Sequence, residues 1–451
     1  LSVVMDPKDT AANNGSEDAF LTTLAWGTRD GHKLAAPAVL VDHVQHRFVG
    51  GRWIFLACDP DGDAFSNSHL LQRLQALALR QHDRFTFRPR MPLFVQGEAL
   101  QFQFEPARGA TVEAGDTLKV SVHADTGAAQ HYSFKADPTQ PVTLPKQAAE
   151  GAGLHVVEAT LERNGVPVWT YRSGFWMRDL AYLRSGPKLT VNGDYFQLDG
   201  KPLPVVGTTY MAGDVDRDYL RKPNVWVWDR DLKQIRAGGL NMIRTGFWSA
   251  WNRLVNPDKS ASEATLRAIE AMLMTARRHD LPVQVNLFAF LPETFGAGNA
   301  YLDPAALAMQ DRFVHSLVQR FHDVPFLLWD LINEPSANTN LWKTLPQGDA
   351  LEQQAWRRWL KQRYPDQAAL LAAWSEPSFG KGRALQSKPD VAPPEAGAAD
   401  PFALPVAGAF DPDGVRAGAN PLKVYDYYLF TQSVFNDWVK HMRATLRDAG
   451  S

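Results

Sequence analysis

Asn333, Glu334 and Pro335 directly follow an apolar run, 327–332, and place an amide and a carboxyl at the end of a buried strand. Three similar runs precede this one, each followed by helical sequence, which is the pattern of a (β/α) barrel. Barrel enzymes carry their reactive groups at the C-terminal ends of the strands, so Glu334 is a catalytic candidate. A carboxylic acid there can protonate a leaving oxygen while a second carboxylate attacks or activates water, as in glycoside hydrolysis.

Four short apolar runs bounded by turns and helices are typical of buried parallel strands. The predicted strands lie at about 204–209, 240–245, 282–288 and 326–332, and the predicted helices between them at about 229–237, 262–279 and 304–321. Two turn signals ahead of the first strand, Asn192-Gly193 and Asp199-Gly200, predict a hairpin that closes the floor of the barrel. Two short helices, a Pro/Ala/Gly-rich insertion at about 340–420 and a long amphipathic helix follow the fourth strand.

Two different segments precede the barrel sequence. Residues 1–85 contain two strand-like runs and one helix, and we interpret them as a partial N-terminal α/β segment. Residues 86–185 show the period-two alternation of an all-β sandwich, for which we expect an ancillary role. The predicted fold class is therefore α/β, with residues 186–451 forming the first half of a (β/α)8 TIM barrel.

The number of strands has a structural consequence. A closed barrel of this type has eight strands, and the sequence contains four candidates. Half a barrel would leave strand edges and apolar faces open, which is unfavourable for a monomer. We therefore expect a second polypeptide or a C-terminal continuation to complete the barrel.

Composition excludes several classes of partner and site. A net charge of −2 and a pI near 6.7 do not favour nucleic acid or an anionic membrane, and no apolar run is long enough to span a membrane. The single cysteine, Cys58, excludes an internal disulfide, and the twelve histidines show no metal-ligand spacing, so neither a metal nor a cofactor is expected. The chain begins at Leu rather than Met, and we expect a periplasmic or secreted protein.

Four stretches carry a resemblance to a known family: DGKPLPVVGTTYM, GLNMIRTG, RFHDVPFLLWDLINEPS and RRWLKQRYPDQAALLAAW. Over about residues 190–450 the chain resembles the retaining (β/α)8-barrel glycoside hydrolases, closest to family 5 and similar to families 2 and 42. The resemblance implies that Glu334 is the general acid/base and that Asn333 binds the sugar 2-hydroxyl. It also implies that Arg244 orients the nucleophile carboxylate. Family 5 enzymes often carry a His after strand three, whereas this chain reads VQVNLFAF.

Aromatic residues after the first two strands have two interpretations. Tyr210, Trp248 and Trp251 lie where a barrel enzyme binds substrate, so they are candidates for stacking on sugar rings. Packing within the loops is the equally plausible alternative.

The sequence does not identify the second catalytic carboxylate. In the family the nucleophile follows strand seven, whereas the later glutamates of this chain, Glu352, Glu376 and Glu395, fall in helix or loop sequence. Glu293, after strand three, is an alternative carboxylate, or else an exposed loop residue. We expect a retaining glycoside hydrolase acting on β-linked glycans, similar to β-galactosidases, β-glucanases or β-mannanases, with its nucleophile outside this chain. The alternative is a catalytically inactive carbohydrate-binding or scaffold protein with a degenerate barrel.

Overall fold

The computed structural model describes residues 19–57, 68–80, 82–124, 128–249, 251–289, 291, 295, 298–335, 346–375, 400, 402–405, 407–410 and 420–451. The chain divides into two compact units. The first consists of Leu1–Leu254, Ser262–Val285 and Val324–Leu328, and the second of Val255–Ala261, Asn286–Asp323 and Trp329–Ser451.

The first unit begins with a three-stranded antiparallel sheet followed by a helix. Strands β1 (Ala19–Arg29), β2 (His32–His43) and β3 (Arg52–Leu56) lie in that order, and helix α1 spans Ser68–Leu79. The sequence predicts β2, β3 and α1. It does not predict β1, because the small and polar residues of that strand give only a weak alternation of apolar positions.

The predicted all-β sandwich follows. One sheet contains β4 (Phe85–Pro89), β6 (Leu100–Pro106) and β9 (Val142–Leu144), and the other contains, in spatial order, β5 (Leu93–Phe94), β11 (Val166–Met177), β10 (Gly153–Arg163), β7 (Thr117–Ala124) and β8 (Gln130–Lys135). Apolar side chains of both sheets form one core, with Phe87, Phe102, Leu118, Val157 and Phe175 fully buried. The alternation places these residues inward because successive side chains of a strand face opposite sides.

The predicted floor hairpin is confirmed. Helix α2 (Leu180–Leu183) leads into an antiparallel sheet of β12 (Leu189–Asn192), β13 (Tyr195–Leu198) and β14 (Lys201–Pro202). The amide of Leu189 donates to the carbonyl of Pro325 at 2.8 Å. Pro325 precedes the fourth barrel strand, so the hairpin is hydrogen-bonded to the N-terminal end of the barrel sheet.

The four predicted barrel strands form one sheet. Its order is β15 (Gly207–Thr209), β16 (Met242–Gly246), β17 (Val283–Ala289) and β18 (Leu327–Asn333). Strands β15 and β16 pair in parallel. The amide of Ile243 donates to the carbonyl of Pro282, and that of Val283 to the carbonyl of Phe326. Neighbouring strands therefore start at the same edge, as a barrel sheet requires.

Burial differs between the central and edge strands of this sheet. Strands β16 and β17 are almost wholly buried, whereas β15 is mostly exposed and every residue of β18 is half-buried. With the sandwich and the N-terminal segment, the four strands and their helices confirm the predicted fold class of a half barrel preceded by a β-sandwich. Whether further sequence covers the two edge strands stays a prediction.

Six longer helices accompany the strands. They are α3 (Val225–Ala237), α4 (Glu263–Arg278), α5 (Pro304–Phe321), α6 (Ala350–Arg363), α7 (Gln367–Ser375) and α8 (Pro421–Asp448). Asn224, Ser262 and Asp303 cap the first three by accepting a backbone N–H of the first turn. None of the helices in the described ranges combines the length and apolarity needed to cross a membrane.

The second unit has a core of its own between α6, α7 and α8. Trp356, Leu370, Tyr427 and Phe430 are buried there. Most of the predicted insertion at 340–420 lies outside the described residues, namely 336–345, 376–399, 401, 406 and 411–419. Cys58 also lies outside them.

Candidate functional site

The Asn333-Glu334-Pro335 motif lies at the end of β18, in the second unit. Asn333 is the last residue of the strand and half-buried, while Glu334 is exposed and has a φ of +51°. Non-glycine residues seldom adopt this left-handed conformation, and a residue before proline normally prefers extended backbone. The conformation costs roughly 1–3 kcal/mol, and such strain clusters at active sites. Glu334 therefore combines an accessible carboxyl with an unusual backbone.

A cavity of about 210 Å³ adjoins the motif within the same unit. Pro335, Tyr301, Glu352 and Phe435 are among the residues that line it. Burial raises the pKa of the Tyr301 hydroxyl, which has no hydrogen-bond partner among the described residues. The cavity thus combines aromatic walls with an unsatisfied polar atom, as small-molecule sites often do.

Glu352 is a buried carboxyl that sequence reasoning assigned only to a helix. It accepts hydrogen bonds from the Tyr427 hydroxyl at 2.6 Å and the Gly348 amide at 2.8 Å, and burial raises its pKa. Its position could have been inferred, because Trp356 and Leu360 follow at intervals of four residues on the apolar face of α6. Its contacts indicate a structural carboxyl at the wall of the cavity.

Arg244 lies in the first unit, in the middle of β16. It pairs with Thr209 of β15, and its carbonyl accepts the Tyr210 amide at 2.7 Å. Its guanidinium carbon lies 5.1 Å from the centre of the Trp248 ring. These contacts fix the strand and hold a cation against an aromatic face. The predicted contact of Arg244 with a nucleophile carboxylate stays a prediction.

The three candidate stacking residues, also in the first unit, are buried. Tyr210, Trp248 and Trp251 are 4%, 8% and 6% exposed, values that accord with the loop-packing interpretation. The Tyr210 hydroxyl donates to Asp231 at 3.2 Å, and Trp251 stacks on Phe247 at 5.6 Å. Their role as platforms for sugar rings stays a prediction.

A buried hydrogen-bond network that the sequence did not indicate holds the end of β16. The Tyr219 hydroxyl lies 2.8 Å from Thr245 Oγ1 and accepts the Gly246 amide at 3.0 Å. Thr245 in turn donates to the Tyr210 carbonyl at 3.0 Å. The network joins the ends of β15 and β16, from which Tyr210 and Trp248 follow.

The structure does not describe the remaining glutamates that the sequence offered as the second carboxylate. Glu293, Glu376 and Glu395 lie outside the described residues. Within the described ranges, no group of three or more His, Cys, Asp or Glu side chains is placed to hold a metal ion.

Comparison with known families gives one match to a family model. Residues 205–364 match the model described as Cellulase (glycosyl hydrolase family 5). The matched range includes all four barrel strands and the Asn-Glu-Pro motif. A comparison with curated proteins gave no match.

Solved structures with detectable similarity include the following three. The GH5_18 protein from Streptomyces cattleya in complex with GlcNAc is 18% identical, with a TM-score of 0.27 over 29% of this chain and 34% of that chain. The FMN-binding beta-glucuronidase from Facaelibacterium prausnitzii is 15% identical, with a TM-score of 0.22 over 56% and 34%. A glycosyl hydrolase family 2 member from Bacteroides cellulosilyticus is 15% identical, with a TM-score of 0.22 over 60% and 34%.

The match of this chain to these structures spans about a third of their length. Because the identities and TM-scores are low, the family match carries the assignment. The resemblance to family 5 predicted from the sequence is confirmed, because residues 205–364 match the family 5 model.

Proposed function

We propose that this chain is part of a retaining glycoside hydrolase acting on β-linked glycans. Glu334 acts as the general acid/base, and sequence beyond these 451 residues contributes the nucleophile. The observation that carries the proposal is the position of Glu334. It follows the fourth strand of a family 5-like domain, is exposed, and has a strained backbone.

The proposed reaction has two steps. In the first, the nucleophile carboxylate attacks the anomeric carbon while Glu334 gives its proton to the leaving glycosidic oxygen, which forms a glycosyl ester and releases the aglycone. In the second, the Glu334 carboxylate takes a proton from water as the water attacks the ester, which frees the nucleophile and retains the configuration. Asn333 is proposed to hold the sugar 2-hydroxyl, and Arg244 to orient the nucleophile.

The partners in this proposal are a glycan substrate and the remainder of the barrel. The partial exposure of β15 and β18 supports the second of these, because a closed barrel would pair both strands on each side. Either a second polypeptide or a C-terminal continuation of this chain could supply the remaining strands and the nucleophile, and the proposed reaction would be the same.

The test compares Glu334→Ala with Glu105→Ala, an exposed glutamate of the sandwich, in the polypeptide that carries the complete barrel. Without its acid, the enzyme should lose about 10²–10⁴-fold in kcat/KM on unactivated glycosides. It should lose far less on an aryl glycoside whose leaving group needs no proton. Glu105→Ala should match the wild type on both substrates.

Equal losses on the two classes of substrate would assign Glu334 a role other than acid catalysis. Unchanged activity in Glu334→Ala would remove it from the mechanism.

A further inference from the structure

A second cavity lies within the first unit. Its volume is about 450 Å³, within the usual size range of ligand pockets. Strand β11 contributes Trp169 and Tyr171, β4 contributes Arg88, the loop after β15 contributes Asp214, and α3 contributes Trp226. We call this cavity the sandwich pocket, because the sandwich strands β4 and β11 form one side of it.

Aromatic rings held by arginines form the walls of the sandwich pocket. The guanidinium carbon of Arg84 lies 4.3 Å from the Trp169 ring centre, and that of Arg88 lies 5.8 Å from the Tyr171 ring centre. Both rings remain half-buried and so keep accessible surface. The rings are thus fixed in orientation before any ligand arrives, which reduces the entropy cost of binding.

Each arginine that lines the sandwich pocket pairs with a carboxylate. Arg84 pairs with Asp42, which also pairs with Arg52 at 2.6 Å. The other pairs are Arg172 with Glu158 at 2.7 Å, Arg230 with Asp231 at 2.7 Å, and Arg88 with Asp214 at 3.8 Å. An anionic ligand would therefore meet little excess positive charge and would face the Asp214 carboxylate.

Hydrogen-bonding groups in the sandwich pocket are left unsatisfied. Neither carboxyl oxygen of Asp214, nor the indole N–H of Trp169, has a hydrogen-bond partner among the described residues. Burial raises the pKa of Asp214 to about 6, so the carboxylate is the major form at pH 7 and can accept from two hydroxyls. A buried polar atom without a partner is costly, and a purely apolar ligand would leave all three atoms unsatisfied.

We propose that the sandwich pocket binds a neutral sugar unit, with Asp214 accepting hydroxyl protons and Trp169 donating its N–H to a ring or hydroxyl oxygen. A saccharide ring offers the required combination, because its hydroxyls both donate and accept while its C–H faces pack on aromatic rings. The site goes beyond the proposed catalysis and does not depend on Glu334.

The test is isothermal titration calorimetry of the purified full chain at pH 7.5, with D-glucose, D-galactose and D-mannose as separate probes and D-glucuronate as the anionic probe. At least one neutral sugar should bind saturably and more tightly than glucuronate. Asp214→Ala should weaken this binding about tenfold or more, because it removes both acceptor oxygens. Trp169→Phe should weaken it less, because the ring is kept.

Matched controls separate this site from surface effects and from the catalytic motif. Asp137→Ala, in a turn of the sandwich, and Trp26→Phe, at an exposed position of β1, should bind as the wild type does. Glu334→Ala should also bind normally, so a failure of the proposed catalysis leaves this test intact. If circular dichroism shows that Asp214→Ala is misfolded, the isosteric Asp214→Asn takes its place, with a smaller loss expected.

Three results would overturn the proposal. They are no saturable binding of any neutral sugar, tighter binding of glucuronate, and neutral-sugar binding that folded Asp214 variants leave unchanged.

Discussion

At the scale of single residues, Glu334 differs from the other glutamates through its backbone. It is the only glutamate with a positive φ among the residues that the structure describes. Its identity and position were readable from the sequence, because the apolar run before it and the proline after it are local signals. The sequence could not show the cavity beside Pro335, because the cavity is formed by residues from distant segments such as Tyr301, Glu352 and Phe435.

The proposed role of Asn333 leads to a substrate-dependent prediction. Asn333→Ala should reduce kcat/KM by about 10²–10³-fold on a glycoside with a 2-hydroxyl, because a contact that strengthens in the transition state is lost. On the matching 2-deoxy glycoside, the wild type and the variant should differ by much less. Steady-state kinetics of both enzymes on both substrates form the measurement. An equal loss on the two substrates would contradict a contact with the 2-hydroxyl.

Glu352 leads to a prediction on stability and pH. Burial raises the folded-state pKa of Glu352 above the ordinary 4.5. At pH values between 4.5 and the folded-state pKa, the folded protein therefore keeps a proton that the unfolded chain releases. The contribution of Glu352 to the free energy of unfolding should therefore fall as pH rises from 4.5 through the folded-state value. Glu352→Gln lacks this dependence and should gain stability relative to the wild type between pH 4.5 and 7.5.

Urea denaturation followed by tryptophan fluorescence at the two pH values measures this difference. Glu105→Gln, at an exposed position, is the control and should track the wild type. A Glu352→Gln variant that loses stability relative to the wild type as pH rises would show that the buried carboxylate is favourable when ionised.

At the scale of elements, the buried network around Tyr219 fixes the end of β16. Removing its hydroxyl in Tyr219→Phe takes a hydrogen-bond partner from both the amide and the carbonyl of Gly246 in a fully buried place. The free energy of unfolding should fall by about 1–3 kcal/mol. Chemical denaturation measures this free energy. Tyr195→Phe is the control, because Tyr195 is 70% exposed. Equal stability of the two variants would mean that water replaces the lost hydroxyl.

The elements themselves were largely predictable where the patterns are local. Helix α5, Pro304–Phe321, has the predicted bounds because Asp303 and Pro304 mark its start and its apolar positions keep the helical period. Helix α3 begins at Val225, earlier than predicted, because the Val-Trp-Val-Trp stretch reads as a strand while the Asn224 cap starts a helix. Pairings between distant residues, such as Arg88 with Asp214, carry no local signal and were not predicted.

At the scale of the whole molecule, the four-stranded barrel sheet of the described residues leads to a prediction on hydrogen exchange. If further sequence pairs with the edge strands, the amides of β15 and β18 should exchange more slowly in the polypeptide with the complete barrel than in this 451-residue chain. The amides of β10, inside the sandwich sheet, serve as the internal control and should exchange alike in both. Equal exchange of β15 and β18 in the two forms would contradict barrel completion.

The central claim is that Glu334 is the acid/base of a retaining glycosidase, and rescue by azide tests it most directly. In the complete-barrel polypeptide carrying Glu334→Ala, an aryl β-glycoside with a good leaving group should form the glycosyl-enzyme, which water then hydrolyses slowly. Added azide, which needs no general base, should accelerate turnover and yield a β-glycosyl azide of retained configuration by NMR. A glycosyl azide of inverted configuration, or no acceleration by azide, would contradict the account.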